Sequence, residues 1–403
     1  MKRLSALLAL LLASLFAGGC AARMGGAGTP IRLVASRRAL ATAPAIRASL
    51  TRTPAPPTDI TAVASAGGRV WALAVNPAEP FARARLLLSS DGGQSFQPRG
   101  TLPAATTGID FPTAQVGFAW SGKELLRSDD GGRTWAAIAQ SDFAEVRFAS
   151  AQDGIAVFAD GRLATSGDGG RSWQAALGST GLSFRSAFAL PGPRFWALGF
   201  TPGSWASRSV LWRRAGGGPW QTVFDGVAGA PVHHAYLAYL RAEFPTTPPA
   251  YDPKTFGQGG DVWFMTPEVG YVALFDGGQL ATMVLRTANG GRSWTYAWGN
   301  AGCAMGCSAA GESLYPMAFF GPQQVWRIDG YALDRSQDGG RTFTKGGPLR
   351  LGLSTSQTVR GAAFLSPNLG ILGTVDGIWR TTDGGTHWTR AWPKAPGPSR
   401  ASR

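Results

Sequence analysis

The sequence predicts an all-β fold, a seven-bladed β-propeller made of four-stranded antiparallel blades. Three observations lead to this prediction: an eight-residue phrase recurs seven times, its spacing is close to the length of one blade, and the composition disfavours helices. Charged residues make up only 15% of the 403 residues, and 56 residues are glycine. Short strands joined by glycine-rich turns fit this composition better than long amphipathic helices do.

The recurring phrase reads Ser/Thr-x-Asp-Gly-Gly-x-Ser/Thr-Trp/Phe, as in SDDGGRTW at 128–135. A worn copy, RRAGGGPW at 213–220, keeps the glycines and the tryptophan. Successive closing aromatics are 38 to 49 residues apart, except for one step of 74 residues that indicates an insertion at 222–260. The seven closing aromatics are Phe96, Trp135, Trp173, Trp220, Trp294, Phe343 and Trp388.

Each unit reads as two strands joined by a turn, then a loop, a third strand, the phrase and a fourth strand. The phrase is therefore predicted to be the turn between the third and fourth strands. Aspartate and serine side chains can bond nearby backbone amides, and the glycine pair takes positive φ without steric cost. The closing aromatic then packs between blades. The residues predicted to hold these turns are Asp91, Asp130, Asp168, Asn289, Asp338 and Asp383.

This phrase resembles the Asp-box, or BNR, repeat of sialidases, sortilin-type receptors, some glucanases and the photosystem II stability/assembly factor family. The resemblance covers most of residues 58–392 and implies that the box is a structural turn and not an active site. The assembly-factor family fits best, because its members are similar single seven-bladed propellers that are exported and hold other proteins. Sialidases resemble six-bladed propellers with an early Arg-Ile-Pro motif, whose nearest approach here is TPIRLV at 29–34.

The N-terminus has the layout of a secretory signal: two basic residues, an apolar run over 4–17, small residues and then Cys20. We expect a lipoprotein signal peptide over 1–19 and lipidation of Cys20. Ala17 stands where such signals usually carry leucine, so plain secretion is the alternative. The expected location is the outer side of the bacterial cytoplasmic membrane or the cell envelope.

Residues 21–57 contain arginine, proline and alanine in abundance and no acidic residue. We expect a flexible tether whose arginines can attract anionic lipid. The net charge of +14 favours anionic partners, although a solvated basic surface would account for it equally, and an exported chain is not expected to bind nucleic acid. Residues 393–403 are expected to form a disordered tail.

Cys303 and Cys307 lie in the sequence CAMGC. Outside the cytoplasm they could form a local disulfide, or they could remain two free thiols. A zinc site would need two further ligands, and His233 and His234 form the only histidine pair. We therefore expect neither a metal nor a cofactor.

Loop lengths predict where binding takes place. The separation between the second strand and the closing aromatic is larger in blades 1, 4 and 5, which predicts enlarged loops between their second and third strands. Because strands alternate in direction, these loops, the insertion and the cysteine loop should emerge on the face opposite the phrases. A short helix over PVHHAYLAYLRAEF in the insertion would present the expected contact set. That set is His233, His234, Tyr236, Tyr239 and Arg241.

These observations predict a non-enzymatic, membrane-tethered, monomeric propeller that binds a protein partner. The contact set could instead be a loop cover packed on the rim, and the whole ring could serve as an envelope scaffold. The main alternative is an exported glycoside hydrolase, sialidase-like, or a carbohydrate-binding propeller. Glycoside hydrolysis needs two facing carboxylates, and no such pair stands out in the sequence.

Overall fold

Seven antiparallel sheets follow one another along the chain in the computed structural model. The structure describes residues 59–178, 180–202, 209–225, 260–276, 281–300, 317–319, 323–329, 332–344 and 359–393. Within these ranges six sheets have four strands and one has three, and strands that are neighbours in sequence are neighbours in each sheet. The predicted all-β class and the four-stranded antiparallel sheets are confirmed.

The first three sheets occupy residues 59–175. The first contains β1 (Asp59–Ala66), β2 (Arg69–Val75), β3 (Ala84–Ser89) and β4 (Gln97–Leu102). The second contains β5 (Gly108–Asp110), β6 (Gly117–Trp120), β7 (Glu124–Ser128) and β8 (Ala136–Gln140). The third contains β9 (Phe143–Phe148), β10 (Gly154–Phe158), β11 (Leu163–Ser166) and β12 (Gln174–Ala175).

The remaining four sheets occupy residues 183–392. The fourth contains β13 (Ser183–Leu190), β14 (Arg194–Phe200), β15 (Ser209–Ala215) and β16 (Gln221–Asp225). The fifth contains β17 (Gly260–Phe264), β18 (Gly270–Asp276), β19 (Ala281–Thr287) and β20 (Thr295–Asn300). The sixth contains β21 (Met317–Phe319), β22 (Val325–Asp329) and β23 (Ala332–Ser336), and the seventh contains β24 (Val359–Phe364), β25 (Gly370–Thr374), β26 (Gly377–Thr381) and β27 (Thr389–Trp392).

Burial changes from the inner to the outer strand of each sheet. The first strands β1, β5, β9, β13 and β17 contact one another in turn, so first strands lie at the centre. Most second strands are predominantly apolar, and β10 is buried at every residue. A run of this kind is expected where a sheet is covered on both faces. The fourth strands are the most exposed, as β12 illustrates with two exposed residues.

Seven hydrophobic clusters join the sheets, and each contains residues from two consecutive sheets. Stacked aromatic pairs lie in several of these interfaces. Trp71 stacks on Phe111 at 3.9 Å between the first and second sheets, and Trp196 stacks on Phe264 at 4.1 Å between the fourth and fifth. Burial of such large apolar faces supplies most of the stability of the interfaces.

The ring closes by packing of the seventh sheet against the first. Ile60 and Val70 from the first sheet share one buried cluster with Ile371 and Ile378 from the seventh. Among the described residues, both sheets are built from strands that are consecutive in the chain, and no strand is shared between the first sheet and the seventh. Side-chain packing between two complete sheets therefore closes the ring.

Longer loops between the second and third strands were predicted for the first, fourth and fifth sheets, and the strand bounds agree for the first and fourth. Residues 76–83 and 201–208 separate these strands in the first and fourth sheets. In the fifth sheet the prediction of a longer loop was wrong, because only residues 277–280 separate β18 from β19. The extra length lies instead in two seven-residue strands, whose pairing satisfies backbone groups that a loop would leave to water.

Several predicted segments lie outside the described residues. These are the signal peptide, the tether, the disordered tail after residue 393, and Cys20, Cys303 and Cys307. The insertion predicted at 222–260 is shorter at both ends. Residues 222–225 belong to β16, and Gly260 is the first residue of β17. Among the described residues, no helix has the length and apolar character needed to cross a membrane.

Candidate functional site

The recurring phrase forms the turn between the third and fourth strands, and its hydroxyl residue organises that turn. In the second sheet Ser128 donates a hydrogen bond to Asp130 at 2.8 Å and accepts one from the Gly132 N–H at 2.8 Å. Gly131 and Gly132 have φ of 72° and 87°, a region that favours glycine. The Gly131 N–H donates to the Gln115 carbonyl at 2.7 Å, which ties the box to the preceding turn of the same sheet.

The aspartate of each box accepts hydrogen bonds from the residues that follow it. Asp168 accepts from the Ser172 hydroxyl at 2.5 Å and from the Ser172 N–H at 3.0 Å. These bonds lower the pKa of Asp168 to about 2. Asn289 replaces the carboxylate in the fifth sheet and still accepts from the Ser293 N–H at 3.0 Å. Equivalent networks surround Asp91, Asp130, Asp338 and Asp383. These groups are therefore occupied by the turn itself.

Five of the boxes are also bonded to the sheet before them, through the carbonyl of their first glycine. The Trp71 indole N–H donates to Gly131 O at 3.0 Å, and the Arg380 guanidinium donates to Gly92 O at 2.7 Å across the ring closure. The Tyr271 hydroxyl donates to Gly339 O in the same way. The boxes thus hold together the edge of the ring on which they lie, and this architecture leaves no box acid free among those described.

The first strands bring a mixed-charge cluster to the centre of the ring. Asp110 on β5 accepts a hydrogen bond from the Phe148 N–H at 2.8 Å on the next first strand. Glu145 on β9 accepts one from the Ala187 N–H at 3.0 Å on β13 and pairs with Arg147 at 2.8 Å. Each carboxylate therefore bridges its own sheet to the following one. We call Asp110, Glu145, Arg147 and Asp261 the central cluster.

The charged groups of the central cluster lie close to one another and keep partial contact with solvent. Side-chain exposure is 38% for Arg147 and 18% for Glu145, so the ion pair is partly open to solvent. Burial raises the pKa of Glu145 to about 7, with Arg147 opposing the shift and Asp261 adding to it. Burial also raises the pKa of Asp110. Glu145 therefore titrates near neutral pH.

The repeat pattern does not predict this cluster, because its members come from three different sheets. One signal was available: Asp110, Glu145 and Asp261 each precede, by one or three residues, a phenylalanine that ends or directly follows a first strand. Chemically, the cluster can position charged groups of a ligand at the centre of the ring or exchange a proton through Glu145.

A second feature that the sequence analysis missed is Phe81, in the loop over 76–83. Its side chain is 94% exposed, which makes it the one exposed large apolar residue in the part of the chain that the structure describes. The strand spacing predicts the length of this loop but not the exposure of its phenylalanine.

The predicted partner-binding residues belong to a segment that the structure does not describe. His233, His234, Tyr236, Tyr239 and Arg241 lie in 226–259, outside the described residues, so their contacts stay a prediction. In the ranges that are described, no group of three or more His, Cys, Asp or Glu side chains is arranged to hold a metal ion.

Comparison with known proteins gives structural matches only. The chain matches no protein-family model and no curated protein. It is similar to YCF48 bound to a D1 peptide, with 16% identity, a TM-score of 0.52, and coverage of 81% of this chain and 94% of that one. It is also similar to YCF48 from Cyanidioschyzon merolae, with 15% identity, a TM-score of 0.51, and coverage of 82% and 97%.

A third similar structure is the GH74 xyloglucanase from Xanthomonas campestris, with 18% identity and a TM-score of 0.47. The match covers 84% of this chain and 61% of that enzyme. At these identities a structural match establishes a shared fold and not a shared activity. With the seven sheets and their antiparallel order, the YCF48 matches show that this chain has the β-propeller fold.

Proposed function

We propose that this chain is a non-enzymatic propeller, held at the outer side of the membrane by lipidated Cys20, that binds a segment of a protein partner. The observation that carries the proposal is that the acidic groups accept hydrogen bonds within the scaffold. The box carboxylates are occupied by their own turns, and Asp110 and Glu145 each accept a backbone N–H of the next sheet. Carboxylates that are engaged in this way support a binding role better than hydrolysis, which needs two carboxylates free to face a substrate.

A similar fold with a bound peptide also supports a binding role. A structure of this fold carries the description YCF48 bound to a D1 peptide, so a propeller of similar size can hold a peptide. The resemblance of the Asp-box phrases to the photosystem II stability/assembly factor family points to the same class of role.

The partner face in this proposal is the one opposite the Asp boxes. β16 ends at Asp225 and β17 begins at Gly260, so the connection between them emerges on that face. Variable loops on a rigid scaffold are where binding is most often found. His233, His234, Tyr236, Tyr239 and Arg241 lie in this connection and would make the contact.

The test begins with in-cell crosslinking of the full chain in its native envelope, followed by identification of the crosslinked protein. A purified segment of that protein is then titrated against the wild-type chain and against a chain whose residues 230–250 are replaced by a Gly-Ser linker. We expect the affinity to fall by at least about tenfold, as for loss of an anchor residue, while the melting temperature is unchanged.

The matched control is Arg171→Ala on the opposite, Asp-box face, where the side chain is exposed. This variant should bind as the wild type does. Equal affinity of the wild type and the 230–250 replacement would contradict the partner face, and the absence of any crosslinked protein would contradict the binding role.

Glycoside hydrolysis is the second candidate, and one observation favours it. Glu145 has a pKa of about 7 beside Asp110 and Asp261, and a raised carboxyl pKa is what a general acid requires. If the chain is a hydrolase, it should release sugar from a panel of sialosides and glucans, and Glu145→Gln should abolish the release. Hydrolysis that disappears in this variant would overturn the non-enzymatic proposal.

A further inference from the structure

The loop over 76–83 is built to expose an aromatic side chain. The Ala78 N–H donates to the Asn76 side chain at 3.1 Å, the Glu79 N–H donates to the Asn76 carbonyl at 3.0 Å, and the Ala82 N–H donates to the Glu79 carbonyl at 2.9 Å. Two prolines in the loop reduce its freedom further. Phe81, which is 94% exposed, is thus held outward by an ordered backbone.

Two arginines follow Phe81 within four residues, and one of them lies against an aromatic ring. The Arg83 guanidinium donates to the Thr101 hydroxyl at 3.0 Å and to its carbonyl at 3.2 Å. The Arg85 guanidinium lies 5.8 Å from the centre of the half-buried Trp392 ring. Glu79 is the one carboxylate of the loop. An apolar tip above arginines and a tryptophan matches a bilayer interface, where rings and guanidinium groups sit at headgroup level.

The course of the chain indicates which surface this loop meets. Asp59 pairs with Val75, and the loop begins at the next residue, Asn76. The chain therefore enters the ring at the edge from which Phe81 projects. The residues that precede Asp59 contain the predicted lipid anchor and a series of arginines without an acidic residue between 21 and 57.

We propose that the Phe81 loop inserts into the interface of an anionic lipid bilayer and orients the ring with its Asp-box face away from the membrane, so that the partner face looks towards the bilayer and takes a partner segment at the membrane surface. The inference rests on the membrane tether of the proposed function. One phenylalanine and two arginines are too few to hold a protein on a membrane, since stable attachment takes two signals. The tether supplies attachment, and the loop sets which face the bilayer meets.

The test supplies the tether artificially, so that it does not depend on lipidation of Cys20. The chain from residue 20 onward carries an N-terminal histidine tag, with Cys20, Cys303 and Cys307 replaced by serine. The tag binds vesicles of phosphatidylcholine, phosphatidylglycerol and a nickel-chelating lipid. Phe81→Cys carries an environment-sensitive nitrobenzoxadiazole dye, and the matched control carries it at Arg171→Cys on the Asp-box face. Circular dichroism checks that both labelled chains retain the strand spectrum.

We expect a blue shift of the dye at position 81, quenching by lipids with spin labels in their upper acyl chains, and no change at position 171. Replacing phosphatidylglycerol with phosphatidylcholine should reduce the shift, because the arginines then lose their anionic lipid partners. An unshifted dye at position 81, or equal shifts at both positions, would overturn the proposal. A shift that appears only on addition of the crosslinked protein segment would instead assign Phe81 to the partner and exclude the bilayer.

Discussion

The box at 287–294 and the worn copy at 213–220 occupy equivalent positions in neighbouring sheets but are held in different ways. In the intact box the Thr287 hydroxyl accepts from the Gly291 N–H at 2.8 Å, and Asn289 accepts from the Ser293 N–H at 3.0 Å. In the worn copy the corresponding residues are Arg213, Ala215 and Pro219, so the hydroxyl, the acceptor and the amide donor have all been replaced.

The worn copy keeps the bonds that reach beyond the turn. The Gly216 N–H donates to the Pro193 carbonyl at 2.9 Å, as the first glycine of an intact box does within its own sheet. Arg213 donates to Gly290 O of the next sheet at 2.9 Å. The difference teaches that strand pairing, the first glycine and the closing aromatic position the turn, while the side chains of Thr287, Asn289 and Ser293 add hydrogen bonds within it.

The largest effect should come from removing the closing aromatic. Trp294 is 4% exposed in a cluster between two sheets, whereas Trp220 is half-buried. We expect Trp294→Ala to lower the free energy of unfolding by about 3–5 kcal/mol, and Trp220→Ala by about half as much. Urea unfolding followed by circular dichroism gives both values. Equal losses would show that the worn copy packs as tightly as the intact one.

The second glycine should distinguish the two turns next. Gly291 has a φ of 89°, and an added Cβ would lie 1.8 Å from Val223 Cγ1. Gly217 has no atom within 4 Å of an added Cβ and no positive φ. We expect Gly291→Ala to destabilise the fold by about 2–3 kcal/mol, through strain and overpacking, and Gly217→Ala to be neutral or slightly stabilising. A thermal melt of each variant checks this, and similar melting temperatures would refute it.

The box carboxylate should contribute less, and in a pH-dependent way. Asp168 has a pKa of about 2 in the folded chain, below its ordinary value, so its stabilisation is present above about pH 4 and is lost as pH falls towards 2. We expect Asp168→Ala to cost about 1–2 kcal/mol at pH 7, as for loss of a capping side chain.

Asp168→Asn is the matched control for this pH dependence, because Asn289 shows that an amide fits the same network. Unfolding measured from pH 2 to 7 should give a flatter stability profile for Asp168→Asn than for the wild type. An identical acid dependence in the two chains would assign the effect to other carboxylates.

The smallest effect should come from restoring an acid in the worn copy. Ala215→Asp places a carboxylate at the equivalent position, but Pro219 offers neither an N–H nor a hydroxyl to bond it. We expect a change of less than about 0.5 kcal/mol, as for most surface substitutions. A gain above about 1 kcal/mol in urea unfolding would mean that the carboxylate stabilises the turn without its usual donors.

The fold could be predicted because each sheet carries its own copy of one local signal. The phrase specifies a turn through Ser128, Asp130 and two glycines that are neighbours in sequence, so no knowledge of distant contacts was needed. The wrong prediction in the fifth sheet has a related cause. The number of residues between β18 and the closing aromatic increases in the same way whether the loop is longer or the paired strands are longer.

The central cluster could not be predicted in the same way. Asp110, Glu145 and Asp261 belong to different sheets and interact only because the ring gathers the first strands at its centre. The exposure of Phe81 likewise depends on how the loop over 76–83 folds on its own hydrogen bonds. Both features arise from tertiary arrangement, which a local pattern does not encode.

Closure of the ring by two complete sheets has a mechanical consequence. Side-chain packing and the Arg380 bond to Gly92 join the first and seventh sheets, without a shared strand between them. This junction, which we call the seam, is therefore where the ring can open without loss of backbone hydrogen bonds within any sheet. In the tethered state proposed above, a pull from the membrane reaches the ring at β1, which contacts β24 across that seam. Tension on the anchor would thus act on the junction that holds the circle shut.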